Sequence, residues 1–391
     1  MLRFGFIGVG GRGTYLMQLA LGMGGIEVPA VCDIDEQHLA NALNAAEAAQ
    51  GRRPEGFSGG RYAYRHLLER DDLDAVVIAT PMQLHAEMAV DSLRAGKNVL
   101  SEVAAAVTLA QCWELVRAVR ETGRAYMMAE NVCYYRHILA LREMLARGVF
   151  GELTYAECGY VHDCRSLMVL PDGRLTWRGE LGRDSVGNWY PTHSLGPVAQ
   201  WMGINRGDRL QSLVSYSTRA VGLAHYAREA LGLPADAIGP GFGGDSNTCL
   251  IRTAMGKVIE LRFDVCSNRP TLSTTYFTLQ GANASYDDRD GVTRIYIEGR
   301  SPAHSWESMD AYLPEFEHPL WTKFHETADA SGHGGADYYA LREFCDCLRE
   351  QRPVPVDVVD AVTWSCIVPL SAQSMLAEGE PVEVPDFSLR A

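Results

Sequence analysis

Phe4-Gly5-Phe6-Ile7-Gly8-Val9-Gly10-Gly11-Arg12-Gly13 decides the fold class of this 391-residue chain. Its first four residues read as a short apolar strand. Gly8 to Gly13 then match GxGxxG, directly after that strand and at the opening of a helical stretch. In this context each glycine has a separate task. Gly8 permits the tight turn, Gly10 lets backbone approach a pyrophosphate, and Gly13 allows helix and strand to pack closely. The helix N-terminus offers its amides and the positive end of its dipole to phosphates. Asp33 ends the second strand, 20 residues after Gly13, where a carboxylate accepts from ribose hydroxyls and repels a 2′-phosphate. Gly8, Gly10, Gly11, Arg12, Gly13 and Asp33 therefore point to NAD, rather than NADP, as cofactor.

Outward from this turn, strand and helix alternate up to about residue 130. Apolar runs recur at Val28-Pro29-Ala30-Val31-Cys32, Ala75-Val76-Val77-Ile78-Ala79, Asn98-Val99-Leu100 and Ala125-Tyr126-Met127-Met128. Helical periodicity fills 84–95 and 109–122, and Gly96 and Gly123 stand just past the ends as C-caps. Strands apolar on both faces and separated by helices imply a parallel sheet covered on both sides. Beyond residue 130 the texture changes. A helix over 136–147 and a strand over 153–160 precede an irregular stretch, 161–189, of the length usually kept for shaping a site. Strands then follow one another at 209–219, 246–254, 257–266, 274–281 and 292–298, with helices at 336–350 and 358–378. The fold class is α/β: an N-terminal Rossmann doubly wound sheet (1–130), then an α+β domain (131–391) for substrate and oligomer contacts. That second domain has a large, open, mostly antiparallel sheet and C-terminal helices.

Composition narrows the function classes. A formal net charge of -14 argues against nucleic acid, which demands a basic face. No stretch approaches the roughly 20 apolar residues of a spanning helix, so no membrane partner is expected. The start Met1-Leu2-Arg3 enters a strand without a signal-peptide pattern, which makes the cytoplasm the expected location. The ten cysteines form no CxxC pair and no regular framework, and are expected to be ordinary reduced thiols. No clustered metal-ligand set is visible.

Two further segments lie at carboxyl ends of strands, where ligands of doubly wound sheets bind. Thr80-Pro81-Met82-Gln83-Leu84-His85 follows the fourth strand and Ser101-Glu102-Val103 the fifth. For His85, a cofactor contact and a plain helix-start residue remain equally open.

At these residues the chain resembles the Gfo/Idh/MocA oxidoreductases. Typical members carry Glu-Lys-Pro after the fifth strand, and the lysine helps a sugar hydroxyl lose its proton. Here the segment is Glu102-Val103-Ala104, so the lysine is missing. A narrower resemblance accounts for that. Glu130-Asn131, Gly159 to Arg165, the run Gly187-Asn188-Trp189-Tyr190-Pro191-Thr192-His193-Ser194-Leu195-Gly196-Pro197-Val198-Ala199-Gln200, Asn205 to Arg209 and Gly332 to Gly335 are similar to glycoside hydrolase family 109. Members of that family also have Glu-Val in place of Glu-Lys.

The resemblance implies NAD contacts at Gly11, Arg12, Asp33, Met82 to His85, Glu102, Val103 and Asn131, and substrate contacts at Tyr160, Arg178 and Tyr190 to His193. It implies hydrolysis of a small glycoside, N-acetylgalactosaminide-like, by a redox-neutral route. Carbon 3 is transiently oxidised, the proton at carbon 2 is removed, the aglycone leaves, water adds and the hydride returns. An NAD-dependent sugar dehydrogenase is the alternative, and a nucleotide-sensing binding protein a third. Two departures bear on the sugar: Ala104 replaces a proline, and Arg269-Pro270-Thr271 replaces Arg-Pro-Tyr. A homo-oligomer is expected by analogy, since open sheets of this superfamily bury a face against a second subunit.

Such chemistry needs side chains that take and return protons near neutrality. His193 is the first candidate, because histidine titrates in that range. Pro191 is expected to start a helix running to about Met202, with His193 in its first turn, where the dipole favours a neutral ring. Tyr190 could bond the sugar, pass a proton or serve as an aromatic platform. Tyr160 and His162 alternate along a strand and so point the same way. His162 and Asp163 are a candidate structural pair. Arg178 could grip an acyl or carboxylate oxygen, or be a solvated loop residue. Glu130, at the end of the last Rossmann strand, is a reserve acid/base. His333 has no derivable role.

Overall fold

The structure, a computed structural model, describes residues 1–391 except 235, 271–273, 329–330 and 389–391. Thr271, one of the departures noted above, lies outside the described residues. Internal contacts divide the chain into two units: 1–134 with 324–362, and 135–323 with 363–388.

The first unit is built on six parallel strands, β1 (Leu2–Ile7), β2 (Ile26–Cys32), β3 (Glu55–Phe57), β4 (Ala75–Ile78), β5 (Asn98–Ser101) and β6 (Tyr126–Met128), in the order β3-β2-β1-β4-β5-β6. The order reverses direction beside β1, which places the glycine turn at the switch point. Strand burial explains the near-continuous apolar runs: all four residues of β4 are buried, and Phe4 and Phe6 of β1 are fully so. Pro29 lacks the N–H that a ladder needs, and the β1–β2 register shifts beside it. The side-chain amide of Gln50 covers the irregularity, accepting from Val28 N and donating to Val28 O at 3.0 and 2.9 Å.

Helices α1 (Gly11–Gly22), α2 (Glu36–Gln50), α3 (Tyr64–Leu68), α4 (His85–Arg94) and α5 (Leu109–Thr122) lie between the strands. The reading of 109–122 from periodicity matches α5, and its ends show why. Thr108 and Gln111 form a reciprocal capping box, and Gly123 closes the helix at φ 64°. The later helix Ala336–Glu350 belongs to this unit, its Phe344 ring 6.0 Å from that of Phe4.

The second unit carries nine strands: β7 (Leu153–Val161), β8 (Leu210–Ser217), β9 (Ser246–Thr253), β10 (Val258–Asp264), β11 (Thr275–Gly281), β12 (Ala284–Asp287), β13 (Arg294–Ile297), β14 (Glu307–Ser308) and β15 (Val382–Glu383). They run in the order β14-β13-β12-β11-β7-β10-β9-β8-β15 and are antiparallel except for the pair β7–β10. Alternation sets the faces along the middle of β7: Ala156, Cys158 and Tyr160 are buried, whereas Tyr155 and Glu157 on the other face are partly exposed. Two helices, α6 (Arg136–Ala146) and one over Thr192–Trp201, pack together, with Trp201 Nε1 donating to Ile138 O at 3.3 Å. The Trp201 ring meets Phe277 of β11 edge-on at 5.5 Å.

Three expectations are corrected. The stretch 161–189 is not irregular throughout; it holds α7 (Arg165–Met168), α8 (Trp177–Asp184) and a bridge between Val169 and Leu175. Helices this short show no apolar period, so the Thr176 cap was their only visible signal. Strands β3, β12, β14 and β15 were not expected, because two to four residues are too few to display alternation. The stretch 358–378 forms two helices, Val358–Ser365 and Ile367–Leu376, rather than one. All ten cysteines are buried thiols, and among the described residues no helix is long and apolar enough to cross a membrane.

One buried charge makes the second unit pH-sensitive. Asp288 accepts from Phe277 N and from Tyr286 Oη, yet burial, with Asp287 and Asp290 nearby, pushes its carboxyl up to about 7. His137 Nε2 lies 3.7 Å away, but burial holds that ring's pKa down at about 4, so it supplies no balancing charge at neutral pH. Because the folded pKa exceeds the unfolded one, this group's stabilisation is complete below about pH 4 and is lost as pH rises to 7. Asp288→Asn should raise Tm by on the order of 5 °C at pH 8, with the difference shrinking towards zero near pH 4, as followed by calorimetry.

Candidate active site

The glycine turn is fixed by close packing. Gly8 sits at φ +83°, and a Cβ there would lie 2.8 Å from the Thr80 amide nitrogen. At Gly13 a Cβ would fall 1.8 Å from the Gly8 carbonyl oxygen, so strand and helix touch through bare backbone. Nothing lies within 4 Å of a Cβ built on Gly11, which leaves that approach open. Helix α1 begins with Gly10 as its N-cap residue, without a side-chain cap or an acidic residue in its first turn. Its amides therefore meet an anion unopposed. Asp33 holds the turn from the other side. Its Oδ2 accepts from Val9 N at 2.7 Å and its Oδ1 from Asp35 N at 2.9 Å, leaving lone pairs for hydroxyl donors. These features fit a dinucleotide.

Three residues expected to contact the cofactor come together around a fourth that was not expected. Arg12 donates from Nε to Glu102 Oε1 at 2.8 Å, and from both Nη atoms to Asp337 at 2.8 and 2.7 Å. Asn131 Nδ2 donates to Asp337 Oδ1 at 2.9 Å. His333, which had no derivable role, places Nδ1 2.7 Å from Asp337 Oδ2. Burial alone would raise the Asp337 pKa, but hydrogen bonds from Arg12 and His333 outweigh it and keep the carboxyl well below the usual range. Asp337 had a signal in the sequence that pointed elsewhere: an acid in the first turn of a helix reads as a dipole complement.

Other expected cofactor residues are placed as follows. His85 is buried, with Nδ1 2.9 Å from Ala104 O and Nε2 2.7 Å from Thr80 O. Burial lowers its pKa against the pull of these carbonyls, and a neutral ring donates to only one of them. The imidazole thus ties the segment after β4 to the segment after β5. Met82 and Val103, one in each of these segments, are buried, and the Val103–Ala104 peptide is cis. Glu130 is fully buried, its Oε1 accepting from Val132 N at 3.3 Å.

In the second unit the expected substrate residues form an aromatic and imidazole cluster. His193 lies in the first turn of the helix that begins at Thr192, three residues after Tyr190, and Tyr190 Oη is 3.4 Å from His193 Nε2. The Tyr160 ring lies 5.0 Å from Tyr190 and 5.6 Å from His193. Burial pushes the Tyr160 phenol far above its ordinary pKa, so it stays protonated, and its Oη lies 3.1 Å from His162 Nδ1 and 3.8 Å from Cys164 Sγ. The His162 pKa is lowered by burial and then by the Arg178 charge, which favours the neutral ring. Arg178, in the first turn of α8, has its guanidinium 4.8 Å from the Trp177 ring and 5.5 Å from the Tyr190 ring. Asp163 is not the partner of His162; it pairs with Arg165 at 2.8 and 2.7 Å, whose fork matches a carboxylate better than one imidazole N–H does.

Several residues with no role assigned from sequence complete the cluster. Trp189 and Phe263 pack edge to face at 5.0 Å and back the Tyr160 and Tyr190 rings. Asn188 Oδ1 accepts from Tyr190 N at 3.1 Å and fixes the turn into Tyr190. Among the described residues, Asn188 Nδ2 and Thr192 Oγ1 are buried without a hydrogen-bond partner, so the segment presents unsatisfied polar atoms around Tyr190 and His193.

Comparison with known proteins finds two family models along the chain. Residues 2–130 match the model of the oxidoreductase family with an NAD-binding Rossmann fold, and residues 134–390 match the C-terminal domain of glycosyl hydrolase 109. A levoglucosan dehydrogenase solved with NADH and L-sorbose superposes with a TM-score of 0.77 at 19% identity, covering 100% of both chains, which shows a shared fold. The chain is an NAD-dependent enzyme of the Gfo/Idh/MocA type. More narrowly, it belongs to glycosyl hydrolase family 109. A family 109 protein of Stenotrophomonas maltophilia (strain K279a) is 36% identical over 412 residues, covering 100% of this chain and 90% of its own. Family 109 protein 2 of Shewanella sp. (strain MR-4) is 39% identical over 393 residues, covering 99% and 85%.

The glycine turn gives a direct test. Gly13→Ala must push the Gly8 carbonyl off α1 and should weaken NAD binding roughly 10–100-fold, measured by titrating nucleotide-free protein. Unchanged affinity would mean that the turn is not the nucleotide site.

Proposed function

We propose that this enzyme hydrolyses a small glycoside, N-acetylgalactosaminide-like, with no net redox change, and that residues 1–130 hold NAD while 131–391 supply the sugar site. The observation that carries this reading is the cluster of Tyr160, His162, Arg178, Tyr190 and His193 in a chain that lacks the family lysine after β5. When bound, NAD supplies a reversible hydride acceptor, which lets carbon 3 of the sugar become a ketone and be restored.

The chain's residues handle protons and orientation. His193, with Tyr190 at 3.4 Å, is placed to accept a proton as the ring hydroxyl is oxidised, and Tyr190 is the group through which that proton passes. Once the first proton has been released through Tyr190 to solvent, the imidazole is neutral again, and it then takes the hydrogen on carbon 2, which the carbon 3 ketone makes acidic enough that no strong base is required. Tyr160 remains protonated and serves as a hydrogen-bond donor rather than a base. Arg178 lies against two aromatic faces, positioned to hold an acyl oxygen of the ligand while the rings flank the sugar. Glu130 stands as the reserve acid or base.

The dehydrogenase alternative shares every step up to the ketone and differs in letting NADH accumulate. His193 could serve as base there too, so turnover decides between them. We also propose a homo-oligomer built on the outward face of the nine-stranded sheet, where Tyr216 and Leu250 are 63% and 47% exposed.

Purified protein should release nitrophenol from an aryl α-N-acetylgalactosaminide without added cofactor. In heavy water, deuterium should enter the product at carbon 2, as read by mass spectrometry and NMR. Ordinary hydrogen at that carbon rules out the elimination route, and stoichiometric NADH with free sugar establishes the dehydrogenase. His193→Gln should lower kcat by roughly 10²–10⁴ while NAD stays bound.

A further inference from the structure

Asp337 sits in the first turn of the helix Ala336–Glu350, about 200 residues after the Rossmann strands, and its side chain has 0% exposure. An ionised carboxylate buried this deeply costs several kcal/mol unless its lone pairs are met. Here they are. Oδ1 accepts from Arg12 Nη2 and Asn131 Nδ2, and Oδ2 accepts from Arg12 Nη1 and His333 Nδ1, at 2.7 to 2.9 Å. A carboxylate has about four acceptor sites, so this one is saturated and has nothing left to offer a ligand.

Its effect falls on its partners. An Asn amide has a donor end and an acceptor end, and only the donor end can face a carboxylate. Asp337 therefore fixes the orientation of Asn131 and turns Oδ1 the other way. That oxygen is buried and has no hydrogen-bond partner among the described residues. Arg12 has five N–H donors; Glu102 and Asp337 take three of them, leaving two on a guanidinium whose plane is locked by a bidentate pair. The cluster thus shows one aimed acceptor and one aimed cationic donor. A molecule with a hydroxyl or amide N–H beside an anionic or carbonyl oxygen matches both.

We propose that Asp337 is a positioning residue of the nucleotide site, which sets the Asn131 acceptor and the Arg12 donors to the geometry NAD requires. This rests on NAD binding by the first unit and not on the glycosidase reading. The segment before it is built to deliver the carboxylate. Gly332 N donates to Tyr15 Oη of α1 at 2.8 Å, and His333, Gly334 and Gly335 all take positive φ on the way into the helix. His333, half exposed, holds the outer oxygen.

The test is NAD affinity of nucleotide-free protein, measured by calorimetry beside its unliganded Tm. Asp337→Asn should weaken NAD roughly 10–100-fold, and Asn131→Ala should do the same. The double variant should be no worse than Asp337→Asn alone, because both remove one arrangement. A merely structural Asp337 would lower the unliganded Tm and leave the affinity of folded protein within twofold of the parent, or would give additive losses; either result overturns the proposal. Should Asp337→Asn not fold, Arg12→Lys and His333→Ala carry the test. Lysine cannot make the forked pair and should cost at least tenfold, whereas His333→Ala should cost a few-fold. Parental affinity in both overturns the proposal. A parent that binds no NAD overturns the nucleotide site itself, while a parent that binds NAD but hydrolyses no glycoside overturns only the function proposed above.

Discussion

The carbonyl oxygen of Gly8 occupies the volume that any side chain at Gly13 would need. That single approach brings the end of β1 against the start of α1, and the nucleotide chemistry of the first unit follows from it. With the turn this tight, the α1 amides open onto uncrowded space at Gly11. Asp33, at the end of the neighbouring strand, reaches the Val9 amide and locks the loop while keeping lone pairs outward. The next residue in the motif, Arg12, projects from the first turn of α1 to Glu102 and Asp337. A turn loosened by one methyl would displace all of these together, because Val9, Gly11 and Arg12 ride on the same short stretch of backbone.

What could be read from sequence follows the range of the interactions concerned. Five Rossmann strands were legible because burial on both faces writes an apolar run, whereas β3, exposed at the sheet edge, was not; α5 was legible because its apolar period is closed by Gly123. His193 and Tyr190 were legible as a pair because three-residue spacing at a helix start decides their proximity without tertiary information. Asp337 was not, since nothing near residue 337 mentions Arg12 or Asn131; the contact is made by 325 residues of intervening chain. Helices α7 and α8 were missed for the opposite reason. They are so local that they lack a period, and Gly, Arg and Asp are usual in loops. Asp163 illustrates a third limit: adjacency to His162 suggested a pair, while the guanidinium two residues on offered the better fork.

The two units solve different electrostatic problems. The first gathers full charges: two carboxylates, Glu102 and Asp337, around one guanidinium, with His333 at the edge. Such a group is costly to bury and is held only because every Asp337 lone pair is met, so it suits a task in which geometry must not change between turnovers. The second unit instead gathers neutral, polarisable groups. Burial keeps Tyr160 protonated and His162 neutral, and aromatic rings surround the single cation of Arg178. A sugar, itself neutral and rich in hydroxyls, is matched by that kind of surface.

This contrast bears on the missing lysine. A lysine at that place would assist one proton transfer, from the substrate hydroxyl and back to it. A cycle that removes a proton, lets a leaving group go, adds water and returns the proton needs groups that work equally well in both directions. An imidazole 3.4 Å from a phenol meets that demand, since either can be donor or acceptor without a change in net charge between them. Val103, in the lysine position, is buried and apolar and has no proton to transfer. In the proposed function proton handling falls to this imidazole and phenol, with Arg178 the fixed cation beside their rings.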